Sequence, residues 1–111
     1  MKICYIAHPI GAATELEIRA NLEDLRRIIR FINQMLPDVT PFCPYYADVV
    51  SMDDNVTAER HRGIKNNRAI LQSGIVHELW MTGSEISSGM IAEGELAIEM
   101  GIKIIDLTNQ I

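Results

Sequence analysis

The sequence predicts an α/β fold: a small doubly wound parallel sheet, Rossmann-like or flavodoxin-like, of four to five strands with helices on both faces. Two observations carry this reading. Short apolar, β-rich runs alternate with longer stretches of helical periodicity in the order β-α-β-α-β-α-β. Glycine or proline then punctuates the junctions, at Pro9-Ile10-Gly11, Pro37, Gly74, Gly83 and Gly101.

The elements follow in order. Residues 3–7 (Ile-Cys-Tyr-Ile-Ala) read as a buried strand stopped by His8-Pro9. From Ile18 to Leu36, apolar side chains recur at steps of three and four with Glu23, Asp24, Arg26, Arg27 and Arg30 between them, which makes an amphipathic helix. Residues 39–43 form a short strand, kept near an edge by Pro41 and Pro44. The aromatic, acidic and aperiodic stretch 44–55 reads as a loop. A second, basic helix runs over 57–73, a strand over 75–81, a polar loop over 84–89, a helix over 90–100 closed by Gly101, and a last strand over 102–107. Ligands of such folds sit beyond the carboxyl ends of the strands, where the loops 7–14, 44–54 and 82–89 would meet.

Composition narrows the function. The chain has 111 residues, forms one domain over 1–111, and carries a net charge of −5 from 10 basic and 15 acidic residues. That balance disfavours gripping nucleic acid, which needs an excess of Lys and Arg, and leaves room for a small anion held by a local basic cluster. The apolar runs are too short to span a membrane, and the opening residues lack a secretory pattern. Cys4 and Cys43 lack a metal-ligand spacing and read as free thiols of a reducing cytoplasm. No metal or cofactor is expected.

The most informative segment is Gly83-Ser-Glu-Ile-Ser-Ser-Gly-Met-Ile-Ala-Glu93. Ser87, Ser88 and Gly89 stand at a helix start, where N–H groups, hydroxyls and the helix dipole converge on one spot and suit an anion. Glu93 lies one turn further in, where the dipole favours the ionised form a carboxylate nucleophile needs. The plainer alternative is that the serines cap the helix and Glu93 is a solvated acid. In the loop after the first strand, Gly11 admits a ligand close to the backbone and His8 is a candidate contact; a G-x-G-x-x-G fingerprint is absent. Arg60, Arg62, Lys65 and Arg68 invert the overall charge locally, and Arg60 is the candidate anion contact; a solvated helix face is the plainer alternative. Trp80 reads as core.

Three stretches, Tyr5-Ile-Ala-His-Pro-Ile-Gly11, Glu59-Arg-His-Arg-Gly63 and Glu78-Leu-Trp-Met-Thr-Gly83 running on into Ser87-Ser-Gly-Met-Ile-Ala-Glu93, resemble the nucleoside 2-deoxyribosyltransferase-like superfamily, and within it a branch of short bacterial and phage domains. The resemblance spans essentially the whole chain. It implies a nucleotide or nucleoside N-glycosidase, or a deoxyribosyltransferase, with Glu93 as nucleophile and Tyr5 beside it. Ser87 and Gly89 would bind the 5′-phosphate, with Ser88 and Met90 as further substrate-binding residues, and His8, Pro9 and Gly11 would wall the base or phosphate side. It also implies a site completed in a homodimer or higher homo-oligomer. The chain departs from the family pattern where an acid for the leaving base is usual: Asn66, Asn67 and Ala69 stand there, His77 replaces an Asp, and Glu95 replaces a glycine. His8, Asp48 and Asp53 are the side chains that would have to stand in. The missing acid motivates the alternative function, a non-catalytic binder of a nucleotide or ADP-ribose-like signal.

Overall fold

The computed structural model describes residues 1–111. Its elements are β1 (Lys2–Ala7), α1 (Glu15–Met35), β2 (Val39–Phe42), α2 (Pro44–Ser51), α3 (Thr57–Gln72), β3 (Glu78–Met81), α4 (Ser88–Glu99) and β4 (Lys103–Asp106). The four strands make one all-parallel sheet in the order β2-β1-β3-β4. The fold is therefore the doubly wound, Rossmann-like α/β sheet that the alternation predicts. The chain leaves β1 for β2 on one side and returns across β1 to β3 on the other. With right-handed crossovers, that reversal sets α1 on one face and α3 and α4 on the opposite one. It also creates a topological switch point at the carboxyl ends of β1 and β3.

Central β1 explains why the sheet holds. Cys4, Tyr5, Ile6 and Ala7 are fully buried because strands pair on both edges and helices cover both faces. α1 buries Leu25, Ile28 and Ile32 along one stripe, each contributing about 2 kcal/mol. Its other face is solvated, with Arg26 paired to Glu23 and Arg27 to Asp24. Thr14 caps its start, accepting from the Glu17 N–H at 3.2 Å. β2, which contains Pro41, is an edge strand as expected.

Two expectations need correction. Residues 44–55 are not a loop: 44–51 form α2, and only 52–56 are irregular. Pro44 occupies the first turn, where its missing N–H costs nothing. Tyr45 is buried, stacks obliquely on Tyr5 and donates its hydroxyl to the Ile6 carbonyl. Docking of that tyrosine, rather than an amphipathic repeat, holds α2 in place. The third strand is also shorter than the predicted 75–81. The His77 N–H donates to the Ile3 carbonyl, and the Ile3 N–H donates back to His77 Nδ1, both at 2.8 Å. A side chain thus completes the ladder where a strand carbonyl would. Trp80 is core as expected, with its indole N–H donating to Glu78 at 3.0 Å.

Candidate functional site

A cleft of about 380 Å³ opens at the switch point, within the size range of small-ligand sites. Each wall comes from a different element. The turn after β1 supplies His8, Ile10 and Gly11; α2 supplies Tyr45 and Asp48; α3 supplies Arg60, Gly63 and Asn67; and α4 supplies Ser87 to Met90 and Glu93. The fold thus gathers Glu93, Ser87, Ser88, Gly89, Met90, His8, Gly11 and Arg60 from segments far apart in sequence. Tyr5 is fully buried beneath them and reaches the site through its hydroxyl, which donates to Glu93 Oε2.

The start of α4 shows both readings of the serine segment at work. Ser87 is the N-cap, its Oγ accepting from the Met90 N–H at 3.3 Å. Met90 returns the contact, its sulfur accepting from the Ser87 N–H at 3.4 Å, and is 1% exposed. Its side chain therefore fixes the turn as well as lining the cleft. The N–H groups of Ser88 and Gly89 have no acceptor within the chain and are the free donors of the helix start.

Pro9 and His8 serve differently from the sequence expectation. Pro9 is buried outside the cleft lining, under Gly83. Both ring nitrogens of His8 are taken, Nδ1 by the Pro9 carbonyl at 2.7 Å and Nε2 by Asp24 at 2.8 Å. His8 borders the cleft but has no ring nitrogen free to hold a phosphate. Burial works against the Asp24 charge, but hydrogen bonds from His8 and Arg27 prevail and hold its carboxyl below the ordinary value.

A family model described as a domain of unknown function, DUF7768, matches residues 2–107. The chain belongs to this family. No curated protein matches it.

In this DUF7768 domain Glu93 is not the ionised carboxylate that its place one turn into the helix predicts. Burial pushes its carboxyl up to about 7, with the Tyr5 hydrogen bond pulling the other way. The dipole loses because its influence fades within the first turn, and Glu93 lies beyond it. Burial first, then the Glu93 charge, drives the Tyr5 hydroxyl far above the phenol range; it stays a donor. Glu93 is accordingly neither a freely solvated nor a mere helix acid, but a partly buried carboxyl whose pKa is pushed up to about 7, an arrangement common at functional sites.

Two further polar groups of the cleft are less visible from sequence. Asp48, considered there only as a stand-in acid, and Asn67, noted only as a departure, each carry a buried oxygen without a hydrogen-bond partner. Asp53 is exposed, accepts from the Asn55 N–H and does not line the cleft. On α3, Arg60, Arg62, Lys65 and Arg68 form no ion pair within the chain, and only Arg60 borders the cleft. No three His, Cys, Asp or Glu side chains converge on one point, and no helix is long and apolar enough to cross a membrane.

Proposed function

We propose that this DUF7768 domain cleaves the N-glycosidic bond of a nucleoside or nucleotide, as an N-glycosidase or deoxyribosyltransferase. One observation carries the reading: the Glu93 carboxyl, bound by the Tyr5 hydroxyl, lies in a cleft whose rim is a helix start with free N–H donors. The first gives a nucleophile that ionises near neutral pH, the second a seat for a 5′-phosphate, with Arg60 adding charge. The resemblance noted in the sequence supports the same assignment.

In the reaction, ionised Glu93 attacks the anomeric carbon, the bond to the base breaks, and the base departs with the electron pair and takes a proton from water. Water, or a second base, then displaces Glu93 from the glycosyl ester and restores the carboxylate. Tyr5 steadies the carboxylate by donating to it. A second copy of the chain would wall the open side of the cleft, as the resemblance implies, and the two free thiols fit a reducing cytoplasm.

Incubation with a panel of nucleoside monophosphates, following free base by chromatography, tests the assignment. Release is expected from at least one, falling by about 10³-fold or more in Glu93→Ala. No release, or equal release by the variant, would refute it. The second reading, a binder that releases its ligand intact, is favoured by one observation: of the side chains that would stand in for the missing acid, His8 has both ring nitrogens taken and Asp53 lies outside the cleft. Intact nucleotide recovered from the denatured complex after long incubation would support the binder; free base supports the enzyme.

A further inference from the structure

We propose that Asp48 and Asn67 select the nucleobase, and that the base they select carries an exocyclic amino group. The inference rests on the N-glycosidase reading and extends it from chemistry to substrate.

Asp48 Oδ2 and Asn67 Oδ1 are the only buried side-chain polar atoms in the chain without a hydrogen-bond partner. A buried acceptor left unpaired costs about 1–3 kcal/mol, so native structures rarely keep one without a reason. Here there are two, both on residues lining one cleft. They belong to one wall. The other carboxylate oxygen of Asp48 accepts from the Asn66 amide at 3.3 Å, and a Cβ added at Gly63, one turn before Asn67, would lie 3.7 Å from the Asp48 Cβ. α2 and α3 therefore pack closely at this point, fixing Asp48 beside the turn that bears Asn67.

The chemistry of that wall states what would satisfy it. Two acceptors require two hydrogens from the ligand. Adenine and cytosine offer both through their amino group, and guanine through its amino group and ring N–H. Hypoxanthine, uracil and thymine present one N–H along the corresponding edge and would leave one acceptor unpaired. The orientation also follows from the reaction. A base expelled by attack from Glu93 leaves from the opposite side of the anomeric carbon, toward the part of the cleft that α4 does not form. That part is α2, α3 and the turn after β1, and of these α2 and α3 carry the two unpaired acceptors.

Calorimetric binding to the Glu93→Gln protein, which cannot turn over, tests this with matched pairs: adenosine against inosine monophosphate, and cytidine against uridine monophosphate. The amino member of at least one pair is expected to bind about tenfold tighter or more, the cost of leaving a buried acceptor unpaired. Adding Asp48→Ala or Asn67→Ala to that protein should bring the ratio near one, with inorganic phosphate binding unchanged and the thermal transition retained. The 2′-deoxy analogues should give the same ratios. A ratio near one, a preference for the oxo bases, or a preference that persists in both folded variants overturns base selection by this wall. So does a ratio that vanishes in the deoxy series, which would assign the acceptors to the sugar hydroxyls. Failure of the N-glycosidase reading looks different: amino bases still bind tighter, but the wild-type protein releases none of them.

Discussion

The Glu93 carboxyl shows how one residue trades stability for reactivity. Its proton is held more tightly in the folded protein than in the unfolded chain, because burial raises its pKa from 4.5 to about 7. The stability that this provides is fully present below pH about 4.5 and is lost as pH rises through 7, amounting to about 3 kcal/mol. Glu93→Gln, which removes the titration, should therefore melt higher than wild type at pH 8, with the gap closing by pH 5; thermal melts at both values check it. A gap independent of pH would contradict the assignment of the buried charge. Tyr5→Phe acts in the opposite sense. It deletes the hydrogen bond that lowers the Glu93 pKa, so the pH profile of base release should move alkaline by about one to two pH units. At pH 7 the rate would drop about five- to fiftyfold. A uniform loss of rate with an unmoved midpoint would mean that Tyr5 acts only through packing.

Among the elements, the turn after β3 carries the tightest constraint. Gly83 has φ of +92°, and a Cβ there would lie 2.8 Å from the Pro9 ring. Gly83→Ala should cost about 3 kcal/mol from left-handed strain and the clash together, read as a lower denaturant midpoint. Near-wild-type stability would mean that the Pro9 turn can shift. The strands and the helices α1, α3 and α4 were legible because periodicity and glycine stops report them directly: Leu25, Ile28 and Ile32 repeat as a helix requires, and Gly74, Gly83 and Gly101 all take positive φ. α2 was not legible. Its residues Tyr45, Tyr46, Val49 and Val50 keep a helical spacing, but only over two turns between Pro44 and a run of acids, and its hold is a contact between Tyr45 and the end of β1, far away in sequence. That short stripe and Pro44 at a helix start were the local signals. Losing α2 also hid the wall on which Asp48 stands.

On the scale of the molecule, a net charge of −5 coexists with four unpaired basic side chains on α3, and the fold directs only Arg60 to the cleft. Arg60→Ala should weaken nucleoside monophosphate binding about tenfold while sparing the free nucleoside, and Arg62→Ala should change neither; titration calorimetry separates them. Equal effects of the two variants would make the basic helix a diffuse field rather than a contact. The same scale explains what the sequence revealed of the site. Glu93, Ser87 and Gly89 lie in one short motif and could be read together, whereas the burial that sets the Glu93 pKa, and the two unpaired acceptors on α2 and α3, exist only once the segments of the cleft converge. The most direct test of the whole account is base release from nucleoside monophosphates between pH 5 and 9 by wild type and Glu93→Gln. Wild-type release should climb with a midpoint about pH 7 and then level, while Glu93→Gln stays at background throughout. Equal release by the two proteins, or none at any pH, would contradict it.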